Sequence, residues 1–382
     1  MHKHLEERRN NPVVVIAVAL AVGVLGVYLQ HASHAATPTS AVEAESGTVT
    51  APATVVADGT ASGGNYLKFG AYTPPPPVNN NPRLGFYPAG TGTSQTATLD
   101  GLSQTYLGVA HSQLAETFIG PTFSSIANPT YVWTAYAGTT YRLVVSTPML
   151  GTDSGASLAT CATGAYDSYY TTLGNNLVSH GHADAIIRLG WEFNLSSSKW
   201  SASTDPTNWV TCFQHEATAL RAASGQSFKI DWNTNNGKQA IAPDSVYPGD
   251  SYVDIIGVDA YDVDWSVYTN YTGDHALAWT HIVGTATSYN LQWQVNFAAA
   301  HHKLLSIPEW GVGNNAQSGH LGGDDPYYIQ QMANWITTNK YYYADYFWQN
   351  NANGDYELTD FPNSATAFQT YFKPIAADPP SN

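Results

Sequence analysis

Between about residues 81 and 373 the chain keeps one rhythm. Short runs dense in Val, Ile, Leu and aromatic residues alternate with longer stretches whose apolar positions recur at helical spacing. Runs apolar at consecutive positions suit strands buried on both faces, and their alternation with helices is the signature of parallel βα units. The pattern predicts strands over 83–87, 130–135, 141–147, 183–191, 227–232, 252–260, 303–308 and 344–348. It predicts helices over 168–179, 208–223, parts of 274–301, 326–339 and 365–372. Strands in this number, mostly followed by helices, give an α/β fold, a (β/α)8 TIM barrel over residues 81–375 with a short tail, 376–382. A doubly wound open sheet is the rival. It carries a Gly-rich phosphate turn after its first strand, and Phe86-Tyr-Pro-Ala-Gly-Thr-Gly-Thr93 lacks the GxGxxG spacing.

The N-terminus breaks this rhythm. Lys3, Arg8 and Arg9 precede an uncharged apolar run over 13–29, followed by His31-Ala-Ser-His-Ala-Ala36. That order reads as a signal peptide or a signal anchor over 1–36. Basic residues ahead of the run keep the N-terminus inside, so the rest is expected to be exported, either secreted or tethered to the outer face of the membrane through residues 13–29. Residues 37–80 end in Thr73-Pro-Pro-Pro-Pro77, a stiff linker. Within them, Val42-Glu-Ala-Glu-Ser46 and Thr60-Ala-Ser-Gly-Gly-Asn-Tyr-Leu-Lys-Phe69 resemble the opening of carbohydrate-binding modules of families 6 and 35. The segment is too short for a complete β-sandwich of about 100 residues, and is expected to be a remnant or tether.

Composition narrows the partners. Charged residues make up only 11% of the chain, and Asn, Gln, Ser, Thr and Gly take their place beside 25 Tyr and 11 Trp. Aromatic faces beside neutral hydrogen-bonding groups suit sugars. The net charge of −15, with no basic face, argues against nucleic acid and against an acidic polymer, and so favours a neutral polysaccharide. A monomer needing no cofactor is expected. Cys161 and Cys212 fall on neighbouring βα units, where an exported chain can form a disulfide or keep two separately buried thiols. No HExxH, CxxC or calcium-loop pattern marks a metal site, and no GxSxG elbow marks a serine hydrolase. The loop Gly319-His-Leu-Gly-Gly-Asp-Asp-Pro326 is expected to form a cleft wall.

Barrel enzymes assemble their sites at the C-terminal ends of the strands. The barrel region holds five glutamates. Glu116 and Glu216 sit in helical patterns where an exposed position explains them, and Glu357 sits in a Gly/Asn/Asp loop. Glu192 closes Ala185-Ile-Ile-Arg-Leu-Gly-Trp-Glu192, and Glu309 closes Leu304-Leu-Ser-Ile-Pro-Glu309. Two carboxylates at one barrel mouth are what retaining glycoside hydrolysis requires, one protonating the leaving oxygen and the other attacking the anomeric carbon.

Strand-four and strand-seven glutamates are also the layout of the large clan of (β/α)8 retaining glycosidases. Arg188-Leu-Gly-Trp-Glu192-Phe-Asn194 resembles the acid/base motif of glycoside hydrolase family 26, the β-mannanase family, which reads Arg-Pro-Leu-His-Glu-Met-Asn. The resemblance implies Glu192 as acid/base and Glu309 as nucleophile of an endo-acting β-1,4-mannanase. It further implies Tyr261 as a hydrogen-bond partner of the nucleophile and Trp348 as the floor beneath the sugar. Arg188, Asn194, Asp231, Trp232, Trp310 and Tyr87 are expected to line or support the cleft, with Asp259 a weaker candidate. Trp191 stands where the family has His. An indole only donates, whereas an imidazole can also accept, so glucan- or xylan-type substrates and transglycosylation stay open beside mannan. A barrel that binds glycan without cleaving it is the alternative of another class.

Overall fold

A computed structural model of the chain describes residues 53–57, 65–69, 81–88, 93–314, 319–352 and 354–380. The expected leader over 1–36, the Pro-rich linker and the end of the tail lie outside them. Two compact units divide the chain, Met1–Pro77 and Val78–Asn382. In the first, strands Ala53–Ala57 and Asn65–Phe69 pair antiparallel, with Ala53 opposite Phe69. Among the described residues no helix is long and apolar enough to cross a membrane.

The second unit is a closed barrel of eight parallel strands. They are β1 (Arg83–Pro88), β2 (Leu114–Phe118), β3 (Arg142–Thr147), β4 (Ile186–Leu189), β5 (Lys229–Asn235), β6 (Ile255–Tyr261), β7 (Leu304–Gly311) and β8 (Tyr343–Trp348). Each pairs with its sequence neighbours, and β8 closes onto β1 with Tyr343 beside Arg83. The helices used below are α1 (Thr93–Leu102), α2 (Phe123–Ala127), α3 (Thr130–Tyr136), α4 (Leu158–Cys161), α5 (Asp167–Ser179), α6 (Pro206–Arg221), α7 (His275–Val283), α8 (Leu291–Ala300), α9 (Pro326–Thr338) and α10 (Pro362–Ala376).

The second strand is not where the pattern puts it. The stretch 130–135 is rich in β-forming residues, yet Val132, Trp133, Ala135 and Tyr136 are the buried positions, an i, i+1, i+3, i+4 stripe that suits helix α3. Strand β2 is Leu-Ala-Glu-Thr-Phe, whose central glutamate points into the barrel and disguises it as a helix surface. Glu116 is therefore fully buried, not exposed. Glu216 does lie on a helix, α6, but is also buried, with Oε1 3.2 Å from Cys161 Sγ. Cys161 and Cys212 form a disulfide that ties α4 to α6 across 51 residues.

The barrel fills in layers. Leu114, Val144, Ile186, Ile255 and Tyr343 form a small apolar cluster of their own, separate from the large core between strands and helices. Above it, polar side chains cross the axis, and glycine makes room for them. A Cβ on Gly85 would meet Asp345 Oδ1 at 1.9 Å, and one on Gly257 would meet Asp231 Oδ1 at 2.5 Å. This polar layer is the floor of the site.

Candidate active site

Arg188 organises the floor. On β4, Ile187 and Leu189 pack into the outer core, so the two-residue period sends Arg188 inward, where it is fully buried. Its guanidinium lies 2.6 Å from Glu116 Oε1 and 2.6 Å from Glu309 Oε1, and it also pairs with Asp259. It donates to Asn233 Oδ1 at 2.9 Å and to Ser146 Oγ at 3.0 Å. One cation thus serves three carboxyl groups from β2, β6 and β7. Burial pushes Glu116 up to about 7 although Arg188 pulls it back. Asp345, buried beneath with neither oxygen hydrogen-bonded, is raised by burial and then by Glu116.

Glu309 reaches this network through a β-bulge. From Ser306 to Trp310 strand β7 advances four residues while β6 advances three, from Gly257 to Ala260. The extra residue reverses the inward parity, so Ser306 and Glu309 both face the axis: Ser306 donates to Asp231 below, and Glu309 meets Arg188 above. Tyr261, ending β6, donates to Glu309 Oε2 at 2.8 Å, and the Glu309 N–H donates to Asp259 Oδ1 at 3.1 Å.

Glu192 stands just past β4, with φ of +50°, a left-handed conformation unusual for a side chain of its kind. Its N–H donates to the Asn233 carbonyl at 3.0 Å, and its Oε1 accepts from Asn235 Nδ2 at 2.6 Å. Burial raises its carboxyl to about 7, the charge of Glu309 adds to the rise, and Asn235 and Arg188 oppose it. Strain held at a polar, half-buried carboxyl in a cleft is a mark of a functional position.

The remaining expected residues divide. Tyr87 packs against Phe118 and Phe347, and Glu116 and Glu309 help raise its hydroxyl to about 12 after burial. Trp191 packs on Phe118 and Trp200 with Arg188 beneath its ring. Asn194 is buried, and its amide bonds the backbone of Asn235 and Gly237, so it shapes the end of β5 rather than facing the cleft. Asp231 sits a layer below the mouth, bonded by Ser306 and Tyr343. Trp232, Trp310 and Trp348 point out of the barrel. Trp232 packs on Phe193 and Phe297, Trp310 on Phe368 and Phe372, and Trp348 on Tyr106 and Phe86. These three correct the sequence expectation: strand parity puts them in the outer core, and Phe347 takes the inward place expected of Trp348.

Sequence reasoning missed Glu116, Asn235, Phe118, Phe347 and Tyr356. Tyr356 packs on Tyr261 and Phe347 and feels the charges of Glu309 and Glu192. A cavity of about 450 Å³ opens beside Asn235, Asp259 and Tyr261 and runs to Trp265 and His281. Trp265 is 70% exposed at this rim, with its ring against His320.

Residues 204–286, which contain α6, β5, β6 and α7, match the family model described as glycosyl hydrolase family 26. In this segment the chain is similar to glycoside hydrolase family 26. The matched segment carries Asn235, Asp259 and Tyr261, while Glu192 and Glu309 flank it on either side. "Endoglucanase H" of Acetivibrio thermocellus is 26% identical over 221 residues, covering 54% of this chain and 22% of that protein. The chain thus spans about a fifth of the curated relative it matches. A Cellulomonas fimi endo-β-1,4-mannanase double mutant shares the fold at TM-score 0.55 and 17% identity, covering 79% of this chain and 72% of the other. A family 26 β-mannanase from Bacteroides ovatus also does so at TM-score 0.55 and 13% identity, covering 78% and 90%.

Proposed function

We propose that the chain is a retaining endo-β-glycoside hydrolase acting on a neutral β-linked polysaccharide of the β-1,4-mannan type. The observation that carries this reading is the pair of unlike glutamates at one barrel mouth. Glu309 is held through both oxygens by Arg188 and Tyr261, and Glu192 sits half-buried, raised to about 7. In the first step Glu309 attacks the anomeric carbon while Glu192 gives its proton to the departing glycosidic oxygen. The C–O bond to the leaving sugar breaks, and a glycosyl ester forms on Glu309. Water then enters, Glu192 takes its proton, and the oxygen displaces Glu309. The second role works because bonding has neutralised Glu309, which removes one of the influences that raised Glu192.

Substrate class rests on other support. The net charge of −15 disfavours acidic polymers, and similar folds include proteins named as β-mannanases. The disulfide suits the oxidising compartment to which a leader over 1–36 would send the chain. Incubation with mannan, glucomannan, mixed-linkage glucan and xylan tests the reading. Mannan-type chains should be shortened internally, and NMR should show the β-anomer as first product. Glucan or xylan cleavage with untouched mannan sinks the substrate assignment, and an initial α-anomer sinks the retaining mechanism.

A further inference from the structure

Next to Tyr261 in the chain begins a second group of carboxyls, to which the proposed hydrolysis gives no role. Asp262 follows β6, and Asp325 caps α9. Both are buried, and among the described residues neither pairs with Lys or Arg. His275 opens α7 beside them with its side chain 36% exposed. One oxygen of each carboxyl is already engaged: Tyr268 donates to Asp262 Oδ1 at 2.8 Å, and the N–H groups of Tyr327 and Tyr328 donate to Asp325 Oδ1 at 2.8 and 3.1 Å. The other oxygens converge. Asp262 Oδ2 has no hydrogen-bond partner, and Asp325 Oδ2 lies 2.8 Å from His275 Nδ1 without the alignment of a hydrogen bond.

We propose that Asp262, His275 and Asp325 form a site for one divalent cation of the zinc class, which clamps the segment after β6 to the starts of α7 and α9. The donor set selects the metal: an imidazole nitrogen with two carboxylate oxygens suits zinc, while calcium and magnesium prefer oxygen alone. Donor atoms of the three side chains lie within 4.8 Å of one another, a spread that an ion bound at about 2.0–2.2 Å gathers with small side-chain shifts. The engaged oxygens supply the outer hydrogen bonds that orient metal ligands. Space is closed on one side, since a Cβ on Gly322 would meet Asp262 Oδ2 at 2.0 Å, and the exposed edge of His275 leaves a fourth position to water. The other such grouping among the described residues, Cys161, Cys212 and Glu216, offers nothing comparable, because its sulfurs are joined to each other.

The site stands independently of the hydrolytic reading. Full-length protein stripped with EDTA and titrated with zinc chloride should take up one ion at this position, seen as an anomalous peak at the zinc edge among the three side chains. Its melting temperature should rise with zinc concentration. His275→Gln, at a partly exposed position, should fold normally, weaken that binding at least tenfold and lose the thermal shift. Asp262→Asn, which keeps the side chain's size, provides a second variant with the same expected loss. Absence of the peak, zinc found only at other histidines, or unchanged affinity in both variants overturns the proposal in favour of a proton shared between Asp262 and Asp325.

Discussion

Glu192 and Glu309 differ in their neighbours more than in their chemistry, and each difference has a measurable result. Removing either side chain should lower turnover of polysaccharide by at least about 10³-fold. An aryl glycoside with a good leaving group needs no proton, so Glu192→Ala should still form the glycosyl-enzyme on it and stall. Azide should then release a β-glycosyl azide, detectable by mass spectrometry, and Glu309→Ala should give none. Normal polysaccharide turnover in either variant rejects the assignment. Asn235 makes a subtler case. Its amide donates to Glu192 Oε1 and so favours the charged form, lowering a carboxyl that burial and Glu309 raise to about 7. On the proposed mechanism activity should fall as pH rises through about 7, because Glu192 then loses the proton assigned to it. Asn235→Ala should move that alkaline limb to higher pH while reducing kcat. A limb that stays in place would assign Asn235 a merely structural role.

At the scale of elements, the barrel was legible in the alternation of apolar runs, and the two glutamates in their places at strand ends. What stayed hidden was which side of each strand faces the axis. Barrel strands are buried on both faces, so no polar alternation marks the inward side. In Tyr343-Ala-Asp-Tyr-Phe-Trp348 the one available signal was Asp345, a carboxylate the outer core would not hold. Its parity sends Tyr343 and Phe347 inward and Trp348 outward. The β7 bulge defeats even that rule, and β2 escaped because Glu116 belongs to the barrel interior. Parity makes a prediction of its own. Trp348→Ala should cost about 3–5 kcal/mol in urea unfolding, the range for a large buried aromatic, and leave KM of the folded fraction unchanged. Phe347→Ala should raise KM several-fold. The reverse pattern would restore Trp348 to the sugar floor.

The whole molecule carries a protonation cost inside its barrel. Glu116 and Glu192 are raised to about 7 and Asp231 to about 6, each mainly by burial. Between the ordinary carboxyl range and those values the native state binds more protons than the unfolded chain, so stability falls as pH rises through that window. Asp250 and Asp264, held below the usual range by hydrogen bonds, act at lower pH and do not offset the effect. The urea midpoint should therefore decline from about pH 4.5 to 7. A midpoint that rises across that interval would mean these groups are ionised in the native protein.

Most of the chain's indoles are enclosed: Trp133, Trp209, Trp232, Trp293, Trp310 and Trp348 are all buried, whereas Trp265 stands open on the rim of the cavity beside Tyr261. That contrast gives the protein a built-in optical probe. Trp191, Trp200, Trp279 and Trp335 are partly covered, so selective red-edge excitation should weight the emission toward Trp265, and acrylamide should quench that ring first. An oligosaccharide laid along the cleft of the inactive Glu309→Ala protein would cover that ring, shift its emission to the blue and shield it from acrylamide. Sugar binding could then be followed without any bond being broken.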